Sequence, residues 1–233
     1  MSQALPLHVV LAVEGPSDER RMRLLLQQPP FPPLVDRQVD VEILTIKSVP
    51  ETARKLGLRT MYTPDGANKG DGGTLRRVYQ VLQAQRRLRP GTLLVWVRDS
   101  DGQEERRQEA EAGRRSLPTA SVSILLAIAS ECGEAWVIAG YQPSPETKGL
   151  HSSLKRRLGF DPWRHPERLS HKTGVPKDAK RVLSELFDGD QDLEDEALLR
   201  AWAMTGEVPE RCGLTAFREE ASTWADGLAA ANT

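Results

Sequence analysis

Two apolar runs, each ending abruptly in acid, constrain this chain more than anything else in it. The first, His8-Val9-Val10-Leu11-Ala12-Val13, leads into Glu14, a Gly15-Pro16 turn and then Ser17-Asp18-Glu19. The second, Thr92 to Arg98, leads directly into Asp99-Ser100-Asp101-Gly102. Uninterrupted apolar strands suit a parallel sheet covered on both faces, and such sheets carry their functional groups beyond the carboxyl ends of the strands. Ser17 can cap a following helix, and Asp18 and Glu19 suit its positively polarised first turn. The unit is therefore strand, acid, turn, helix, and it occurs in a chain with a second acidic strand end.

Between and beyond these runs the periodicity alternates. A helix is expected over roughly Asp18 to Gln28, ended by the Pro29 to Pro33 stretch, which cannot be helical. Val39 to Ile46 alternates and is rich in β-branched residues, which predicts a second strand nearer an edge. A surface stretch follows, and then Asn68 to Thr74, a glycine-rich loop opening a helix over Leu75 to Arg89. Gln103 to Arg115 reads as an exposed charged helix, Val122 to Ala129 as a further strand, and Glu131 to Ala139 as a short helix beginning in acids. Lys177 to Leu186 and Phe217 to Leu228 read as helices, with Asp188 to Glu196 a solvated acidic run. Strands alternating with helices predict an α/β fold with a mainly parallel, Rossmann-like sheet flanked by helices. Residues 1–140 are expected to form that core, and 141–233 a mostly helical carboxyl-terminal extension packed on the same domain.

A formal net charge of -1 gives no global attraction to nucleic acid or membrane, so polyanion binding would need a local patch or a bound metal. No apolar run approaches the roughly 20 residues that span a bilayer, and a soluble, cytoplasmic protein without membrane contact is expected. Cys132 and Cys212 lack CxxC spacing, and there are only four histidines, which argues against a thiolate zinc site. Any bound metal would be held by carboxylates.

In an extended strand, residues i and i+2 project to one side, so Asp99 and Asp101 are expected to converge while Ser100 points away. Brought near Glu14, they would form an acid cluster that needs a cation to ionise fully. Mg2+, with Mn2+ as a substitute, fits such a partial cage, because it takes one or two carboxylates and leaves room for water and phosphate. The loop around Gly70, Gly72 and Gly73 could cradle a phosphate with backbone N–H groups or be a simple turn. Arg76, Arg77, Arg86, Arg87 and Arg89, with Lys155, Arg156 and Arg157, could contact phosphates or be exposed helix faces. The loop lacks P-loop order, so no nucleotide hydrolysis is read from it. Trp96 and Trp136 are expected in the core, and His151, His165 and His171 have no ligand spacing.

Val13-Glu14-Gly15-Pro16-Ser17-Asp18 with the later Asp99-Ser100-Asp101 resembles the Toprim signature of topoisomerases, bacterial primases and OLD-family nucleases. Lys69-Gly70-Asp71-Gly72-Gly73, Glu134-Ala135-Trp136 and Ala216-Phe217-Arg218 look like the small bacterial, Toprim-like DUF4276 proteins. The resemblance covers most of Val9 to Ala139. It implies a Toprim-like fold, with Asp99 and Asp101 binding Mg2+ and Glu14 serving as a metal ligand or as the general acid/base. OLD-type nucleases carry a further acid and a late lysine; Glu134 is the better match for the acid, with Glu131 on the same predicted helical face, and Lys177 or Lys180 for the lysine. With Lys69, Gly70, Gly72, Gly73, Arg76 and Arg77 as phosphate contacts, the expected activity is an Mg2+-dependent endonuclease acting on nucleic acid, DNA ahead of RNA. The absent ATPase of OLD-like systems implies a separately encoded partner and a role in phage defence. The alternative is a non-catalytic Toprim-like module of an ATPase or nucleic-acid-processing complex.

Overall fold

A computed structural model describes residues 7–31, 40–58, 70–118, 122–204 and 212–231. Four strands, β1 (His8–Val13), β2 (Asp40–Thr45), β3 (Thr92–Asp99) and β4 (Val122–Ala129), form one parallel sheet in the order β2-β1-β3-β4. The register pairs Val13 with Thr45 and Ala12 with Trp96. Every residue of β1 is buried, whereas β2, at the edge of the sheet, buries Leu44 alone. The unbroken and the alternating apolar patterns therefore report central and edge position as expected. The helices are α1 (Pro16–Leu25), α2 (Val49–Lys55), α3 (Gly70–Ala84), α4 (Glu104–Arg115), α5 (Glu134–Ala139), α6 (Lys148–Leu158), α7 (Ala179–Phe187), α8 (Gln191–Ala203) and α9 (Leu214–Ala231).

The chain forms two compact units. The first comprises residues 1–98, 104–127 and 220–233, and the second residues 99–103 and 128–219, so residue 140 lies inside the second. In the first unit, β1 and β3 bury an apolar centre that includes Leu11 and Trp96, and Met22 and Leu25 of α1 and Leu75, Val78 and Leu82 of α3 are buried as well. In the second, the core holds Trp136 of α5, Leu154 of α6, Phe187 of α7 and Trp202 of α8. Trp136 stacks on Phe217 with ring centroids 6.2 Å apart, and its indole N–H donates to the Cys212 carbonyl at 2.8 Å.

Four local expectations differ from the observed elements. The helix after β1 begins at Pro16 rather than Asp18, so Gly15 and not Ser17 stands at its cap, and Asp18 Oδ2 accepts the Gly15 N–H at 3.2 Å. The stretch after β2 contains α2, in which Val49 and Ala53 are buried. The residues after Tyr141 contain α6, whose start is overshadowed in sequence by neighbouring prolines. The acidic run is not merely solvated: it forms the beginning of α8, where Asp190 Oδ1 accepts the N–H groups of Asp192 at 3.0 Å and Leu193 at 3.2 Å. Acids there complement the helix dipole, and Ala197, Leu198, Ala201 and Trp202 supply the buried stripe.

Candidate functional site

In the first unit, extending the β1–β3 register by two residues brings Glu14 beside Arg98. Arg98 Nη1 donates to Glu14 Oε1, and Arg98 Nε donates to Asp71 Oδ1 at 2.8 Å. Arg106 Nε, from α4, donates to Asp71 Oδ2 at 2.7 Å. The Asp71 N–H in turn donates to Glu109 Oε2 at 3.0 Å. Asp71 is buried, with a side chain only 4% exposed, so its carboxylate depends on both guanidinium groups for compensation. Glu14 is thus one end of an ion-paired chain, Glu14–Arg98–Asp71–Arg106.

The same network explains the glycine segment. Gly70 to Gly73 form the first turn of α3 rather than a loop, and Asp71 is the functional-group-bearing residue within it. A Cβ on Gly72 would collide with the backbone carbonyl of Glu109, and one on Gly113 would lie 2.7 Å from Gly72 Cα. A Cβ on Gly70 would meet the Glu109 carboxylate. Helices α3 and α4 cross closely through these glycines, which gives them a packing role in place of a free phosphate cradle. Arg76 Nη1 donates to Ser116 Oγ at 3.3 Å and Arg77 Nη1 to Gln80 Oε1 at 3.4 Å, both within the first unit. Lys69 lies outside the described residues.

The second unit holds the other predicted acids. Strand β3 stops at Asp99, and Asp101 and Gly102 adopt positive φ, 54° and 72°. The two-residue repeat of an extended strand therefore does not reach Asp101, and the expected convergence of Asp99 with Asp101 by strand geometry is not the observed arrangement. Instead the turn is laced to the end of β4. Ser100 N–H donates to the Ala129 carbonyl at 2.8 Å, Ser100 Oγ donates to the Ser130 carbonyl, and Gly102 N–H donates to that same carbonyl at 2.8 Å. Asp99 Oδ1 accepts the Gly133 N–H at 2.9 Å.

This lacing places Glu131 against Gly102, where a Cβ would overlap the carboxylate. It also assembles a contact set that the sequence did not reveal. His171 Nδ1 lies 3.5 Å from Glu131 Oε2 and 4.0 Å from Asp101 Oδ1, and this nitrogen is shielded from solvent without a hydrogen bond. Glu131 precedes α5, so its predicted helical spacing with Glu134 is not realised; Glu134, buried as the first residue of α5, faces Cys132. Burial pushes the Cys132 thiol up, and the Glu134 and Asp99 carboxylates add to the effect. Burial likewise raises the Cys212 thiol to about 11, so neither cysteine is a ready nucleophile. Lys180 contributes its backbone N–H to Asp178 Oδ1 at 3.0 Å, while its side chain is exposed.

Among the described residues no three His, Cys, Asp or Glu side chains stand in a metal-ligand arrangement. Mg2+ is commonly held by one or two carboxylates with water and substrate oxygens completing its shell, and Asp101 and Glu131 offer such a pair facing one imidazole. Comparison with protein families, curated proteins and solved structures returns no match to this chain.

Proposed function

We propose that this protein is an Mg2+-dependent, Toprim-like nuclease that hydrolyses phosphodiesters in nucleic acid, DNA in the first place, and that works with a separately encoded ATPase in phage defence. The observation that carries the reading is the acid-bearing turn at the carboxyl end of β3, hydrogen-bonded to the end of β4 so that Asp101 and Glu131 face His171. Carboxyl ends of parallel strands are where α/β sheets bind ligands.

In this reading Asp101 and Glu131 would hold the cation, and Asp99, oriented by the Gly133 N–H, would support the turn or complete the shell. Bound Mg2+ would supply Lewis-acid stabilisation of phosphate charge and a more acidic water. The role of Glu14 as ligand or acid/base is what the resemblance alone implies; within the first unit its carboxylate pairs with Arg98. Glu134, facing Cys132, is assigned to supporting α5 ahead of metal binding.

A second reading, a non-catalytic module of a larger complex, is favoured by one specific feature. Glu14 and Asp99, two of the three motif acids, are both engaged by the protein itself, with Arg98 and with the Gly133 N–H. Calorimetric titration with Mn2+ tests the metal: the wild type binds, and Asp99→Asn with Asp101→Asn loses binding while keeping its thermal melting profile. Undiminished binding by the double variant would place any metal elsewhere.

A further inference from the structure

From Lys148 to Arg181 the sequence carries ten Lys and Arg against three Asp and Glu, in a chain whose formal net charge is -1. Part of this excess is neutralised: Lys155 pairs with Asp161 at 3.0 Å, and Arg157 and Arg181 both pair with Glu185. The loop from Ser170 to Asp178 is different. It is closed on itself, since Ser170 N–H donates to the Lys177 carbonyl at 2.8 Å and Ala179 N–H to the Ser170 carbonyl at 3.0 Å. The buried carboxylate of Asp178 locks it by accepting the N–H groups of Gly174 at 2.9 Å, Lys180 at 3.0 Å and Arg181 at 3.3 Å. Those bonds, the one from Gly174 above all, hold the Asp178 pKa below the usual carboxylate range.

The one acid of this loop thus accepts from its own backbone and also feels the Lys180 charge, and the lysines at 172, 177 and 180 are exposed, none of them within ion-pair distance of an acid among the described residues. The Lys177 ammonium sits over the face of the Phe160 ring, 5.6 Å from its centroid. The loop also carries His171, the residue that touches Asp101 and Glu131. Two exposed ammonium groups, Lys172 and Lys177, are therefore borne by the closed loop and a third, Lys180, by the first turn of α7 beside it, in a segment whose His171 reaches the acid-bearing turn, all within the second unit.

We infer that the Ser170–Lys180 segment is the nucleic-acid docking surface of this protein, with Lys172, Lys177 and Lys180 contacting phosphates that flank the one presented to Asp101 and Glu131. The inference rests on the reading of those two acids as the phosphodiester site. An ammonium is a compact point charge that meets phosphate oxygens from many directions, which suits a repeated, sequence-independent backbone. Acidic protein partners offer no such regular spacing of charge.

The test is fluorescence anisotropy with a labelled 20-base-pair DNA duplex, Ca2+ replacing Mg2+, over a range of NaCl concentrations. Each lost phosphate contact lowers the salt slope by roughly 0.9. A Lys172→Gln/Lys177→Gln/Lys180→Gln variant is expected to lose about 2 to 3 from the magnitude of the slope while its melting temperature stays within about 2 °C of the wild type. A Lys148→Gln/Arg164→Gln variant, whose charges lie outside the loop, should lose less than 1 on the same scale. An unchanged slope in the loop variant, an equal fall in both variants, or no duplex binding by the wild type overturns the inference. Wild-type cleavage with an unchanged slope leaves the nuclease reading standing without this surface. Loop-dependent binding without cleavage keeps the surface and removes the nuclease.

Discussion

A carboxylate held between two guanidinium groups, as Asp71 is between Arg98 and Arg106, loses most when its neighbours are left without it. Removing one partner of a buried ion pair costs about 3 to 5 kcal/mol, because the remaining charge stays desolvated. Arg98 and Arg106 keep 20% and 17% side-chain exposure, which places Asp71→Ala near the lower end, about 3 kcal/mol, read by urea denaturation at pH 7. A loss below about 1 kcal/mol would mean that solvent replaces the carboxylate and that the network is decorative. Asp71 lay hidden in the sequence among three glycines, whose spacing invited a loop reading; its only advance sign is that an arginine, Arg98, interrupts the apolar run before Asp99. Glu14 was legible as a strand-end acid, but its partner was not, since pairing across parallel strands depends on register. His171 was illegible for a related reason: 70 residues separate it from Asp101, and only the fold of the Ser170–Asp178 loop brings them together.

At the scale of elements, the crossing of α3 and α4 sets propensity against packing. Gly72 lies inside a helix, where Ala is better by about 1 kcal/mol on intrinsic grounds. Its missing Cβ, however, is what admits the Glu109 backbone carbonyl, and backbone cannot move aside as a side-chain end can. Gly72→Ala is therefore expected to destabilise by about 1 to 3 kcal/mol in thermal or urea unfolding, the range for overpacking a close contact. A gain of about 1 kcal/mol would show that propensity governs and that α4 gives way. The strands were legible because burial on both faces writes itself as an unbroken apolar run, and β3 and β4 run within a residue of their expected limits. Helices α2 and α6 were not, because prolines near their starts mask short amphipathic segments, and the opening of α8 was masked by the acids that stabilise it.

Across the whole molecule, 32 basic and 33 acidic residues nearly cancel, yet they are not evenly mixed along the chain. The basic stretch from Lys148 to Arg181 is followed from Glu185 to Glu196 by seven acids and no base, so the near-neutral total conceals a local cationic segment. No described helix is long and apolar enough to cross a membrane. The α/β class and the parallel sheet could be read from alternating strands and helices, whereas the division into two units could not, because residues 99–103 belong with 128–219 through hydrogen bonds distant in sequence. The central claim is that the acids at the end of β3 support metal-dependent phosphodiester hydrolysis. It is tested most directly by incubating wild type, Asp99→Asn/Asp101→Asn and Glu14→Gln with supercoiled plasmid, single-stranded DNA and RNA. Each is assayed in Mg2+, in Mn2+ and in chelator, with and without a candidate ATPase. The account predicts cleavage by the wild type that chelator abolishes and that falls roughly 10²-fold or more in both variants. Equal cleavage by wild type and variants, or none by the wild type under any of these conditions, would contradict it.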